Sequence, residues 1–273
     1  MTIPKTYKLF IGGKFPRTES GRILEVRDSK GKLIANASRA SRKDFREAVV
    51  AARKAAPGWA GSTAYLKGQI LYRIAEMLQG RRAQFVDELT SQGLKNAGED
   101  VDRAIDLLVH YAGWSDKFQA LFSTVNPVAS SHFNFSAPSP SGVVAVVGPS
   151  SPGLLGLVSV LVPVIVGGNS CVILSNLSAI SFAEVLSTSD VPAGVVNLLT
   201  GEREELIPEF AKHMDVNAML LCSDESGEQR LAELEAAENL KRVMVKPDEN
   251  LLPNPYHILD FQEIQTTWHP VGI

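Results

Sequence analysis

Cysteine is nearly missing from this 273-residue chain: Cys171 and Cys222 are the only two, and both lie in apolar stretches. That excludes a disulfide framework and a cysteine zinc site and points to a reducing compartment. Charge of either sign is missing from one long tract, with no Lys, Arg, Asp or Glu between Lys117 and Glu184. Such a tract belongs in a domain interior. It does not read as a membrane span, because its apolar run from Leu154 to Val166 is cut by Pro163. Crossing about 30 Å of hydrocarbon takes roughly 20 residues, and no basic cluster flanks the run. Basic charge is in no excess either. The net charge is −3, so neither a nucleic acid nor a membrane is expected as a partner. Apolar residues at 45% and charged residues at 21% fit a globular protein. The N-terminal MTIPKTYKLF lacks the apolar core of a signal peptide, and a cytoplasmic location is expected.

What the sequence does contain is a βα rhythm. Val143 to Val147 and Ser170 to Leu174 are continuously apolar strands around the Leu154–Val166 run, which reads as a crossover helix between parallel strands. Strands at 195–199, 218–221 and 242–245 alternate with helices near 180–187, 202–213 and 228–238. Five strands alternating with helices make a Rossmann-like, doubly wound α/β sheet. Ahead of it, 1–138 reads as a helical part opened by small strands: 7–15 around a Gly12-Gly13 turn, then 23–26 with 33–35. A first helix opens on Ser41 and Asp44 and ends by Pro57-Gly58. Three more follow, with stripes from Ile70, Phe85 and Val101. Pro138-Ser139-Pro140 reads as a linker after a short strand at Phe133 to Phe135. The core is expected over 139–250. Pro247, Pro253 and Pro255 should exclude regular structure before a last extended piece at 261–269, within a tail of 251–273.

The fold makes a nucleotide the default ligand, but G-x-G-x-x-G is absent. Gly148 and Gly153 flank Pro149 and Pro152, which leaves few N–H groups for a pyrophosphate. Two helix starts carry acids, Glu202, Glu204 and Glu205 at one and Asp224 and Glu225 at the other. As helix-dipole partners they would repel a phosphate. Cys222 follows an apolar strand without a nearby base and reads as a structural thiol. His110 reads as a packing residue, His213 as a cation complementing a helix C-terminus, and His257 and His269 show no metal-ligand spacing. No metal site is expected.

The order of segments resembles the N-terminal, cofactor-binding half of the aldehyde dehydrogenase superfamily. The matching pieces are Phe10-Ile11-Gly12-Gly13-Lys14, Asp44 to Ala56, Tyr111-Ala112-Gly113-Trp114, Pro140 to Gly148, Gly167-Gly168-Asn169, Val191 to Asn197 with Thr200-Gly201, and Asn239 to Val243. The resemblance implies an NAD(P)-binding domain with an oligomerisation flap, at about 130–137 and in the tail. Phe133, Phe135, Ile264, Thr266 and Trp268 are its candidate interface residues.

The departures from the family pattern bear on chemistry. Pro149-Ser150-Ser151 stands where the family has Pro-Trp-Asn, so Ser151 replaces the oxyanion-holding asparagine. Leu174 replaces the ribose-binding lysine, and Asp224 replaces the pyrophosphate-binding serine of Phe-Thr-Gly-Ser. Lys246 falls on the general-base glutamate, in Lys246-Pro247-Asp248-Glu249-Asn250. The domain with the nucleophilic cysteine has no counterpart. Ser150, Leu174, Gly201 and Asp224 are therefore degenerate cofactor positions, Ser151 and Lys246 degenerate catalytic ones, and no cofactor is expected, with NAD or NADP as the alternative. Some superfamily members carry a second, degenerate region of this kind that packs on the first. The expected function is therefore non-catalytic assembly, with the flap packing on an aldehyde dehydrogenase catalytic domain or building a homo-oligomer. Two alternatives are a nucleotide-binding module and an oxidoreductase that borrows its cysteine from another chain, with Glu249 as a displaced base.

Overall fold

The computed structural model describes residues 5–177, 180–247 and 252–272. Its centre is a five-stranded parallel sheet built from β6 (Val143–Val147), β7 (Ser170–Leu174), β8 (Val196–Leu199), β9 (Ala218–Cys222) and β10 (Arg242–Lys246), in the spatial order β10-β9-β6-β7-β8. This is the doubly wound order, with the chain reversing direction across the sheet between β6 and β9. The Rossmann-like α/β expectation therefore holds.

Every residue of β6, β7, β8 and β9 is buried, because helices cover both faces. Alternate side chains serve opposite layers. Val144, Val146, Cys171 and Ile173 pack on α2 (Ala64–Gly80), α4 (Ala97–Ala112) and the charge-free α6 (Leu154–Val166). Val143, Ala145, Val147 and Val172 face α1 (Arg42–Ala60), α8 (Arg203–Lys212) and α9 (Ser226–Ala237). There Phe45 stacks on Phe210 with ring centroids 4.2 Å apart. α1 starts on the expected capping box. Ser41 Oγ accepts from the Asp44 N–H at 3.3 Å, and the Asp44 carboxylate accepts from the Ser41 N–H at 2.7 Å.

Three asparagines hold the loops of the sheet, and two of them, Asn169 and Asn197, are fully buried. Asn169 Oδ1 accepts from the Gly142 N–H and its Nδ2 donates to the Phe261 carbonyl. Asn217 accepts from the Val143 N–H, and Asn197 accepts from the Gly12 N–H while donating to the Cys171 and Gly194 carbonyls. Gly194 is obligatory there: its φ is +90°, and an added Cβ would lie 2.5 Å from the Ala51 carbonyl oxygen.

A second sheet joins β1 (Lys5–Tyr7), β3 (Leu33–Ser38) and β2 (Ile23–Arg27). A third is antiparallel, in the order β11-β5-β4, from β4 (Thr124–Asn126), β5 (His132–Pro140) and β11 (Gln262–Pro270). The remaining helices are α3 (Arg82–Ser91), α5 (Phe118–Phe122), α7 (Phe182–Leu186) and α10 (Tyr256–Leu259).

Several local expectations are corrected. α1 runs through Pro57 to Ala60, since the Gly61 N–H still reaches the Pro57 carbonyl at 3.1 Å. The 7–15 stretch is not a hairpin. Only 5–7 is a strand, and Ile11 and Lys14 form an isolated bridge around the glycine turn. β5 extends through Pro138-Ser139-Pro140 instead of ending in a linker there, and β4 beside it was not anticipated. The proline-rich stretch before the tail holds α10, opened by Pro255. Among the described residues, no helix is long and apolar enough to cross a membrane.

Candidate functional site

At the carboxyl ends of the central strands lies a cavity of about 660 Å³. The loop after β6 (Gly148, Pro149, Ser150, Pro152) forms one side, with Leu174, Ser175 and Asn176 after β7, and Gly201, Glu202 and Glu204 around the start of α8. Arg203 and Glu228 form the floor at the switch point, and β2 closes the far wall with Leu24 to Arg27. In a doubly wound sheet this is where a ligand enters, with its anionic part on a helix N-terminus.

Here the helix N-termini meet the chain's own carboxylates. At α6, the Leu154 and Leu155 N–H groups donate to Asp100 Oδ2 of α4, at 2.8 and 3.2 Å. Burial raises the Asp100 pKa above its ordinary value, and those two N–H groups partly offset the rise. Gly153, the N-cap of α6, is required for this approach: its φ is +142°, and a Cβ would sit 2.7 Å from the Asp100 carboxylate. In the same loop, Asn176 Nδ2 donates to the Ser151 carbonyl at 2.9 Å and reaches those of Pro149 and Gly153 at 3.4 Å, so carbonyls converge on one side chain. At α8, Glu205 in the first turn accepts from Arg22 and Arg39 at 2.7 and 3.0 Å. At α9, Glu228 in the first turn accepts from Arg203 at 2.6 Å.

Arg203 reaches further than its ion pair. Its guanidinium also donates to the Gly148 carbonyl beyond β6 (2.9 Å) and to the Cys222 carbonyl at the end of β9 (2.7 Å). It thus spans the gap between the two strands that flank the switch point. Arg203 holds the Glu228 pKa below the usual carboxylate value, helped by the Ser223 hydroxyl, against a rise from burial.

Of the sequence candidates, Ser150, Leu174 and Gly201 line this cavity together. Leu174 is 4% exposed and belongs to the layer under α1 and α8. Ser151 and Asp224 do not line it, and both are exposed on their loops. Lys246 is paired with Asp260 at 2.6 Å, both side chains more than four-fifths buried. Glu249 lies outside the described residues. The residues that reasoning from sequence missed are Arg203, Glu228, Asp100 and Asn176. Their partners lie 19 to 55 positions away in the chain, so local patterns carry no trace of them.

The five flap candidates fall on two opposite faces. Antiparallel pairing puts Trp268 opposite Asn134 and Thr266 opposite Ser136, whereas Phe135 and Phe133 lie opposite Thr267 and His269. Ile264, Thr266 and Trp268 therefore share one face, and Phe133 and Phe135 the other, with Val125 beside Phe135. The Ser136 and Thr266 hydroxyls are 2.8 Å apart, and Phe133 packs on Phe135 with centroids 5.6 Å apart. Every residue of β11 after Gln262 is exposed, and among the described residues no strand pairs with its second edge.

The histidine reading needs one correction. His213 ends α8, but burial first, then Lys241 and Arg46, lower its pKa and favour the neutral ring. The cation at that helix end is Lys241, whose ammonium donates to the Phe210, Ala211 and His213 carbonyls. Burial brings the Lys241 pKa down to about 8. Cys171 and Cys222 are buried, and burial pushes the Cys171 thiol far above its ordinary range. Among the described residues, no three acidic, histidine or cysteine side chains gather as a metal site.

Comparison with known proteins adds the following. The model of the aldehyde dehydrogenase family matches residues 15–247. Cytosolic 10-formyltetrahydrofolate dehydrogenase of Mus musculus is 27% identical over 262 residues, covering 90% of this chain and 29% of that protein. An aldehyde dehydrogenase of Aspergillus niger is 29% identical over 248 residues, covering 87% of this chain and 49% of that protein. Among solved structures, the NAD+ complex of an aldehyde dehydrogenase from Bacillus cereus superposes with a TM-score of 0.82 at 22% identity, covering 89% of this chain and 51% of that one. PnpE from Pseudomonas sp. WBC-3 gives 0.79 at 26%, covering 89% and 51%. The chain spans about half the length, or less, of the curated relatives it matches.

Proposed function

The chain belongs to the aldehyde dehydrogenase family, and from that premise we propose that it is a non-catalytic, structural region of such an enzyme, located in the cytosol. Its three-stranded flap docks on an aldehyde dehydrogenase catalytic domain, with β11 extending a partner's sheet through its free edge. The observation that carries this reading is a contrast between two ends of the molecule. The switch-point cavity is lined by the protein's own paired charged groups, while the flap offers a nine-residue strand at the edge of its sheet.

Each departure noted in the sequence has a physical cost for aldehyde oxidation. Leu174 offers a ribose no hydrogen bond. Ser151 has no amide to hold an oxyanion, and the loss of one such donor costs about a hundredfold to a thousandfold in rate. Lys246, held by Asp260, is no base. Phosphates approaching α6 or α9 meet Asp100 or Glu228. A chain of this kind contributes surface rather than chemistry.

The test is co-purification and light scattering with a catalytic aldehyde dehydrogenase chain from the same organism. A stoichiometric complex is expected with the full chain, and none after deletion of residues 261–273. If the full chain forms no complex, or the deletion leaves assembly unchanged, the reading fails. A second reading, a module that still holds NAD or NADP, draws on the size of the cavity, about 660 Å³, which suits a small ligand.

A further inference from the structure

We infer that the Arg203–Glu228 pair is an internal occupant of the switch-point crevice, bridging the ends of β6 and β9 as a bound ligand would. This goes beyond the assembly role and does not depend on it.

The geometry has four parts. First, the guanidinium has an acceptor for each of its three nitrogens: Nη1 on Gly148 O, Nη2 on Cys222 O and Glu228, and Nε on Glu228. Those acceptors come from two neighbouring strands and a helix, so one side chain ties three separate elements. Second, the Gly148 and Cys222 carbonyls lie at the carboxyl ends of β6 and β9, and both accept from the one guanidinium. An ammonium is a point donor and cannot span both strands and the carboxylate, whereas the planar fork of arginine can. Third, the Glu228 carboxylate sits in the first turn of α9, the place an anionic ligand would take in this fold. Fourth, the pair is largely enclosed, with 23% and 22% of the two side chains exposed, which separates it from surface ion pairs of little effect. Arg203 is the first residue of α8, and its backbone is fixed there by the helix and by the β8–α8 loop through Gly201.

An internal occupant makes a prediction that an ordinary ion pair does not. Removing it leaves a hole shaped for its head group. Arg203→Ala should lower the thermal midpoint by about 5 °C or more, given roughly 2–4 °C per kcal/mol for chains of this size. Millimolar ethylguanidinium should restore at least half of that loss, and ethylammonium should not. Neither compound should raise the midpoint of the unsubstituted chain. Arg203→Lys should also lose stability, without rescue, because the lysine stem fills the hole. An unchanged midpoint in Arg203→Ala, or a loss that ethylguanidinium does not repair, overturns the inference. Should Arg203→Ala fail to fold, Glu228→Gln decides the matter: it keeps the shape and removes the charge. A lower midpoint supports the pair as the bridge, and an unchanged midpoint overturns it.

Discussion

At the scale of single residues, three charged side chains act on the molecule's own backbone. Arg203 binds two strand-end carbonyls, Lys241 binds three at the end of α8, and Asp100 binds two N–H groups at the start of α6. Each is a long-range cap, and each can be removed by one substitution. Asp100→Ala leaves the first N–H groups of α6 without their acceptor. Loss of a helix cap costs about 0.5–2 kcal/mol, to be read in urea unfolding, and Asp100→Asn should recover much of it through the remaining carbonyl oxygen. Glu228 sets a dependence on pH. Its folded pKa lies below the ordinary value of 4.5 because of Arg203, so its contribution is complete above that value and disappears as the pH falls through the folded pKa. Unfolding at about pH 7 and about pH 4 should therefore show a smaller acid loss for Glu228→Gln than for the unsubstituted chain. Equal losses would show that Glu228 has no part in it. What the sequence offered at this scale was uneven. Leu174 and Lys246 could be read as departures from a family pattern because each is judged against its neighbours in the motif. Arg203 and Asp100 could not, since their acceptors and donors are brought near only by the folded sheet.

At the scale of elements, the apolar strands and the crossover helix were legible because burial on both faces removes every charged residue from them. The flap was less legible. β5 carries two prolines, a signal against a strand, yet both lie beyond the three residues that pair with β4 and are paired on the β11 side alone. β4 is only three residues long and has no pattern of its own. α1 continues through Pro57, which removes one N–H donor, and the Gly61 N–H closes the last turn on the Pro57 carbonyl. The pairing of β11 with β5 also separates the interface candidates, and that separation can be measured. The Ile264→Ser, Trp268→Ser pair removes the more exposed apolar face, where those side chains are 59% and 57% exposed. It should weaken association with the catalytic chain by about tenfold to a hundredfold, as expected for interface anchors. The Phe133→Ser, Phe135→Ser pair on the opposite face should weaken it less. Titration by surface-immobilised binding reads both, and the reverse order would place the contact on the phenylalanine face.

At the scale of the whole molecule, the Rossmann-like sheet order of the family fold is present, beside a three-stranded antiparallel sheet. The cavity at its carboxyl ends has a floor made of Arg203 and Glu228, and acids stand over the helix N-termini. The chain covers about half of the family architecture seen in the solved relatives, and among the described residues β11 is an edge strand. The most direct test is calorimetric titration of the purified chain with NAD and with NADP. The account predicts no saturable heat up to millimolar cofactor. Binding at micromolar concentration would contradict it, because a dinucleotide would then have to displace Arg203 and Glu228 or share the crevice with them.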